Sequence, residues 1–296
     1  MKAWHYALLV FLGGCCYGIL STFVKLAYSA GFSLAEVTGG QFLFGTILIW
    51  LLVLFSRKKR ISLIQASKLT VSGVPLGLTG VLYYQALETL NASLAIIFLF
   101  QFVWIGTLME WFLYKKRPTK GKIVSIIILL IGSLLASGAL LKGNVSFSVE
   151  GAVWGGLAAI SFATFLSLSS SVGKDIPPVL KSAILSTGGL LVVCILFPPV
   201  FLLDIPTLTG VMRYGVILGL FGVALPPLLF SIGMPKVGPG LGTILTASEL
   251  PVAVLMSFIV LHEEVRALQW IGVGIILCGI VIGNSKVKHR VQASGD

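Results

Sequence analysis

Charged residues are scarce in this chain. Lys, Arg, Asp and Glu together make up 10% of 296 residues, against roughly 25% in soluble domains. Hydrophobic residues reach 57%, so the composition is that of a polytopic membrane protein. Aspartate is scarcer still: Asp175 and Asp204, both at loop positions, are the aspartates before the tail. His5, His262 and His289 lie at or beyond the ends of apolar runs. An intramembrane hydrolase needs a nucleophile with its base, paired aspartates or a metal site. None of these is present in mid-run, which argues against an enzyme and leaves no catalytic residue to name. Four cysteines are scattered over three runs, as Cys15 with Cys16, Cys194 and Cys278. They form no Cys-x-x-Cys and no Cys/His cluster, so no metal site is indicated. They read as small apolar fillers. No phosphate-binding glycine loop occurs. ATP is therefore not expected as direct energy source, and no cofactor is expected.

The net charge is +11. Nucleic acid is not the implied partner, because the basic residues sit in short loops between apolar runs. All lysines and arginines except Lys25, Lys142, Arg213 and Arg266 fall on one set of alternate loops. Positive charge concentrates on the cytoplasmic side of membrane proteins. That places both termini in the cytoplasm of a cell (plasma) membrane protein. The first apolar run, from Tyr6 to about Ala27, is too long for a signal-peptide core.

Runs of about 20 residues suffice to cross a bilayer as helices. Ten are read: 6–28, 35–55, 70–90, 92–114, 122–141, 150–172, 181–203, 211–233, 239–261 and 267–284. The expected fold class is all-α integral membrane. A gap-free shift lays Leu94 on Leu241, Leu108-Met109 on Leu255-Met256 and Gly132 on Gly279. Lys115-Lys116-Arg117-Pro118 then falls on His262-Glu263-Glu264-Val265. An odd number of spans per half inverts the second half, which accounts for the reversal of charge at this turn. The expected organisation is a five-helix repeat over 1–141, an inverted five-helix repeat over 142–284 and a cytoplasmic tail over 285–296. Inverted repeats build many secondary transporters, with the site near midplane where corresponding helices are interrupted. Pro75 in span three and Pro226-Pro227 in span eight are expected to interrupt such a pair. A fourth proline, Pro251, removes a backbone donor inside span nine.

Asn91-Ala92-Ser93 opens span four, and Ser248-Glu249-Leu250-Pro251-Val252-Ala253-Val254-Leu255 runs through span nine. Leu261-His262-Glu263-Glu264 forms the next turn, and Gln269-Trp270-Ile271-Gly272 leads on to Gly279. With these residues the chain resembles the drug/metabolite transporter superfamily in its ten-span EamA branch, over nearly its whole length. The family's Glu-Pro feature is missing from the first half, where Phe102 and Trp104 match Glu249 and Pro251. The resemblance implies export or exchange of small metabolites, often amino acids, through a central cavity.

Glu249 is the first candidate. A carboxylate in mid-membrane costs ~2.5–3.5 kcal/mol on insertion scales and marks function by default. It either binds a substrate amino group or carries a coupling proton; the alternative is that it bonds backbone groups freed by Pro251. Substrate contacts are also expected from Tyr84 and Gln85 in span three and from Gln101 and Trp104 in span four. Tyr83 and Gln41 lie nearby in the pattern. Glu110 is a coupling or gating candidate; the alternative is that it snorkels to the interface or pairs with Lys115 or Lys116. Lys25, with Glu36 and Glu88, marks an outer ion cluster suited to gating. One acid among amides and rings suits an amine-bearing or zwitterionic, partly apolar solute. It suits a nucleotide sugar less, since no basic cluster lies at midplane to pair phosphates. The expected partners are this small molecule and the lipid bilayer, with the chain a monomer or a weak homodimer. The competing readings are a channel or sensor on the same fold, or a carrier of nucleotide sugars or drugs.

Overall fold

The computed structural model describes residues 3–56, 59–90, 92–139 and 148–292. Asn91, Arg57, Lys58, Lys142 and the expected repeat boundary at 141/142 lie outside them. The described residues are helical, with no strand among them. In order they form α1 (Ala3–Ser29), α2 (Leu34–Leu54), α3 (Leu63–Thr89), α4 (Ala92–Leu99), α5 (Phe102–Tyr114) and α6 (Lys120–Ala136). There follow α7 (Val149–Ser171), α8 (Pro178–Leu196), α9 (Ile205–Gly219), α10 (Leu225–Val237), α11 (Pro239–Thr246), α12 (Glu249–Val260) and α13 (Ala267–Gln292). α13 continues to Gln292, well into the segment expected to be a tail.

Short polar residues start these helices, since side-chain oxygens satisfy the first free backbone N–H groups. Ser33 with Glu36 and Ser62 with Gln65 form capping boxes on α2 and α3. Thr119, Ser148 and Asp204 cap α6, α7 and α9. Glu36 is thus a capping residue rather than part of an ion cluster.

Among the described residues, eight segments are long and apolar enough to cross a membrane: 4–29, 34–54, 94–114, 149–171, 178–196, 205–237, 239–260 and 267–284. α4 with α5, α9 with α10, and α11 with α12 each form one such segment. α3 and α6 fall outside the set. α6 has 17 residues, at the lower edge of what spans a bilayer, and α3 carries Pro75 among several polar residues. The chain is therefore a multi-pass membrane protein, and its expected ten spans depend on these two helices.

The principal contacts pair α3 with α7 and α8, α1 with α10 and α12, α2 with α8 and α9, α5 with α7 and α11, and α6 with α13. Exchanging α1 with α7, α2 with α8, α3 with α9–α10, α4–α5 with α11–α12 and α6 with α13 carries each pairing onto another of the set or onto itself. Small residues allow the closest of these approaches. Any side chain at Gly73 of α3 would strike the Leu185 carbonyl of α8, and at the mirrored contact Gly45 of α2 meets Gly219 of α9.

Loops gather at two faces. On one, Lys59 bonds Asp175 of the 172–177 turn, and Glu110 near the 115–119 turn lies beside the start of α11. On the opposite face Lys25, near the end of α1, bonds Glu263 of the 261–266 turn, and Phe32 packs on Tyr214. At the first face, a backbone hydrogen bond and the Lys59 ammonium hold the Asp175 carboxyl below its ordinary value. The outer surface between the faces is apolar, with Leu51, Ile127, Ile195 and Val281 all exposed.

The proline expectations meet different outcomes. Pro75 does not interrupt its helix, for α3 is continuous through it. Its carbonyl accepts hydroxyl bonds from Thr79 (2.7 Å) and Ser161 (2.9 Å). Pro226 and Pro227 stand in the first turn of α10, directly after a π turn at Leu220–Ala224, so span eight changes its winding there while its helix runs on from α9 to α10. Ser186 Oγ donates to the Val223 carbonyl at 2.8 Å within that turn.

Candidate functional site

The apolar segment 239–260, expected span nine, divides in two. α11 ends at Thr246, Ala247 and Ser248 form a turn, and α12 starts at Glu249. Pro251 sits in the first turn of α12, where a missing N–H leaves no intrahelical bond unmade. The Ser248 hydroxyl donates to the Phe11 carbonyl at 2.7 Å and pins the turn to α1. Glu249 gains from its position at a helix N-terminus, where negative charge is favoured. The first half breaks at the matching place. α4 ends at Leu99 and α5 starts at Phe102, with Phe100-Gln101 between them, although neither proline nor glycine stands there.

Glu249 lines a cavity of about 380 Å³, within the range of small-molecule sites. Its Oε2 has no hydrogen-bond partner among the described residues. The same holds for the hydroxyls of Tyr17 and Tyr28, which line the same cavity. Buried polar groups are nearly always paired, and unpaired ones call for an explanation. Along α1 the wall runs from Tyr17 to Tyr28, from mid-helix towards the face of the 261–266 turn. Towards the opposite face aromatic rings pack together. Tyr17 meets Phe162 at 5.3 Å and Phe230 at 6.0 Å between ring centres, and Phe102 meets Phe162 at 4.8 Å. Beyond the rings, Gly14 lies directly on Thr246 and Ser248.

A second, more polar cavity of about 420 Å³ adjoins the first at the 261–266 turn. Thr22, Ser257, Glu263, Arg266 and Gln269 contribute to its wall. Lys25 and Tyr83 border both cavities. Lys25 Nζ lies 2.9 Å from Glu263 Oε1, and Ser257 bonds the other oxygen of that carboxylate.

Of the residues singled out in the sequence, Glu249, Tyr84, Lys25, Tyr83 and Gln41 stand in the inner wall. Tyr84 is buried and donates to Gln41 Oε1 at 3.0 Å. Gln85, Gln101 and Trp104 are outside that wall. Gln85 donates to Glu88 at 2.7 Å. Gln101 donates to the Ile97 carbonyl at 2.9 Å and accepts from Trp104 Nε1 at 2.8 Å, while Trp104 is 39% exposed on the outer surface. Their polar atoms are satisfied within the turn between α4 and α5. Glu110 does not pair with Lys115 or Lys116. It is buried and lies 2.5 Å from Lys122 Nζ, beside Gly238 and Gly240 at the start of α11. Among the described residues, no group of three His, Cys, Asp or Glu side chains could hold a metal ion.

Sequence reasoning missed Tyr17, Tyr28, Phe42 and Phe162, all in the cavity wall. A phenol in the middle of an apolar run was the available signal for Tyr17, because a buried Tyr hydroxyl normally needs a partner.

A model of the EamA-like transporter family matches residues 4–138 and again 149–284. No curated protein matches the chain. One solved protein crystal structure aligns with TM-score 0.71 at 17% identity, over 93% of this chain and 97% of its own. At that identity the likeness speaks for the fold alone.

Proposed function

The chain belongs to the EamA-like transporter family, and from this premise we propose that it is a secondary carrier moving a small amine-bearing solute, such as an amino acid, by alternating access through the Glu249 cavity. One observation carries the reading: the unpaired Glu249 oxygen inside a largely apolar, ring-lined chamber. A carboxylate held there without a protein partner is arranged for a cationic ligand. Aromatic faces add attraction for an ammonium group, ~0.5–2 kcal/mol each.

Two further features support a carrier. The chamber reaches towards one face, and towards the other lie packed rings and the Gly14 contact, an arrangement that suits a carrier open to one side at a time. The helix pairings map onto themselves under exchange of the two halves, which supports ten spans in two inverted five-helix repeats. In such a protein rocking one bundle against the other opens the opposite side. The basic loops support an orientation with both termini cytoplasmic, and we place the carrier in the plasma membrane.

The test is uptake into everted vesicles from cells with and without the overproduced protein, screened over amino acids and amines. Protein-dependent uptake of an amine-bearing solute is expected, lost in Glu249→Gln. Uptake confined to solutes without an amine would contradict the reading.

A further inference from the structure

Among the described residues, Lys25 is the one cationic side chain in the wall of the inner cavity, and Glu249 is the one acid. They occupy opposite ends of it. Gly18 of α1 lies against the Glu249 backbone, and Lys25 is seven residues further along the same helix, about 10 Å at 1.5 Å per residue. The Lys25 ammonium now sits at the mouth, 2.9 Å from Glu263 Oε1; helical side chains tilt towards the N-terminus of their helix, so a stem that turns away from Glu263 swings towards Glu249. The wall between the two charges is mainly apolar, with Leu20, Val24, Leu76 and Ala253.

We infer that the cavity takes a dipolar solute, with its ammonium on Glu249 and a carboxylate on Lys25, several bonds apart. The inference rests on the carrier reading above and adds the second charge and its distance. An α-amino acid, whose charges are adjacent, cannot reach both ends at once. An ω-amino acid or a short peptide can, and the shared chemistry is an extended chain with opposite charges at its tips. Lys25 is available because its present bond is exposed, with side-chain exposures of 45% and 48% for Lys25 and Glu263. Exposed pairs hold only weakly. When Lys25 turns to the solute, Glu263 keeps the Ser257 hydroxyl. Exchange of Glu263 for the solute carboxylate therefore leaves no buried charge unpaired.

The test is calorimetric titration of the purified full chain in lipid nanodiscs. The probes are glycine, γ-aminobutyrate, ε-aminocaproate, triglycine and ε-aminocaproamide, the last keeping length and amine while removing the anion. ε-Aminocaproate or triglycine is expected to bind at least tenfold more tightly than glycine and than the amide. Whichever of the two binds better identifies the source of the solute. In Lys25→Gln the advantage of ε-aminocaproate over its amide is expected to fall below threefold, and in Lys25→Arg it is expected to return. Equal affinity for ε-aminocaproate and its amide in the wild-type chain overturns the inference and leaves the amine carrier standing. Preference for glycine does the same. Failure of every amine to bind overturns both readings.

Discussion

Gly18 of α1 faces the backbone carbonyl of Glu249 so closely that no side chain fits between the two helices. The contact holds the first residue of α12 against the middle of α1 and sets the depth of the carboxylate in the cavity.

Gly18→Ala and Gly18→Val are therefore expected to destabilise the chain, the valine more, since overpacking against backbone costs ~1–3 kcal/mol. Gly156→Ala is the control, for a methyl there meets nothing within 4 Å. Thermal unfolding in detergent should rank wild type with Gly156→Ala, then Gly18→Ala, then Gly18→Val. A Gly18→Val chain melting with the wild type would mean that the two helices are not in contact.

The Glu110–Lys122 pair behaves differently from the exposed pair at Lys25. Its side chains are 10% and 18% exposed, and removing one partner strands a charge at ~3–5 kcal/mol. Glu110→Leu or Lys122→Met alone should lose stability of that order, measured by unfolding in sodium dodecyl sulfate. The double variant should recover most of it. Equal loss in single and double variants would show that each residue acts without the other.

The ten-span reading makes a labelling prediction for α3 and α6. In a chain without native cysteine, Arg60→Cys and Glu88→Cys should react with an impermeant maleimide from opposite faces. Arg117→Cys and Glu264→Cys should likewise label from opposite faces. Labelling of either pair from one common face would remove a span and with it the inverted repeat.

The acid and its break were legible in the sequence for a physical reason. A carboxylate and a proline inside one apolar run leave few bland explanations, and the structure puts both at the start of α12. The matching break at Phe100-Gln101 was not legible, because the residues there carry no helix-breaking chemistry and their turn follows from tertiary packing. Pro75 misled for the converse reason. It is a strong local signal, but helix α3 continues through it, and Thr79 and Ser161 hydroxyls bond its carbonyl. Gln101 and Trp104 looked like free polar groups at mid-span. Three residues apart, they lie on one side of the chain and satisfy each other. Tyr17 lay in an apolar run with nothing around it to mark which way the run would turn.

The central claim is that solute passes by way of the Glu249 carboxylate. Counterflow in proteoliposomes tests it most directly: vesicles loaded with unlabelled amine-bearing solute are diluted into a trace of labelled solute. Wild-type protein should give a transient accumulation of label. Glu249→Gln, reconstituted at equal amount and equal monodispersity, should lower its initial rate at least tenfold. A wild-type chain with no accumulation, or a Glu249→Gln chain that accumulates label as the wild type does, would contradict the account.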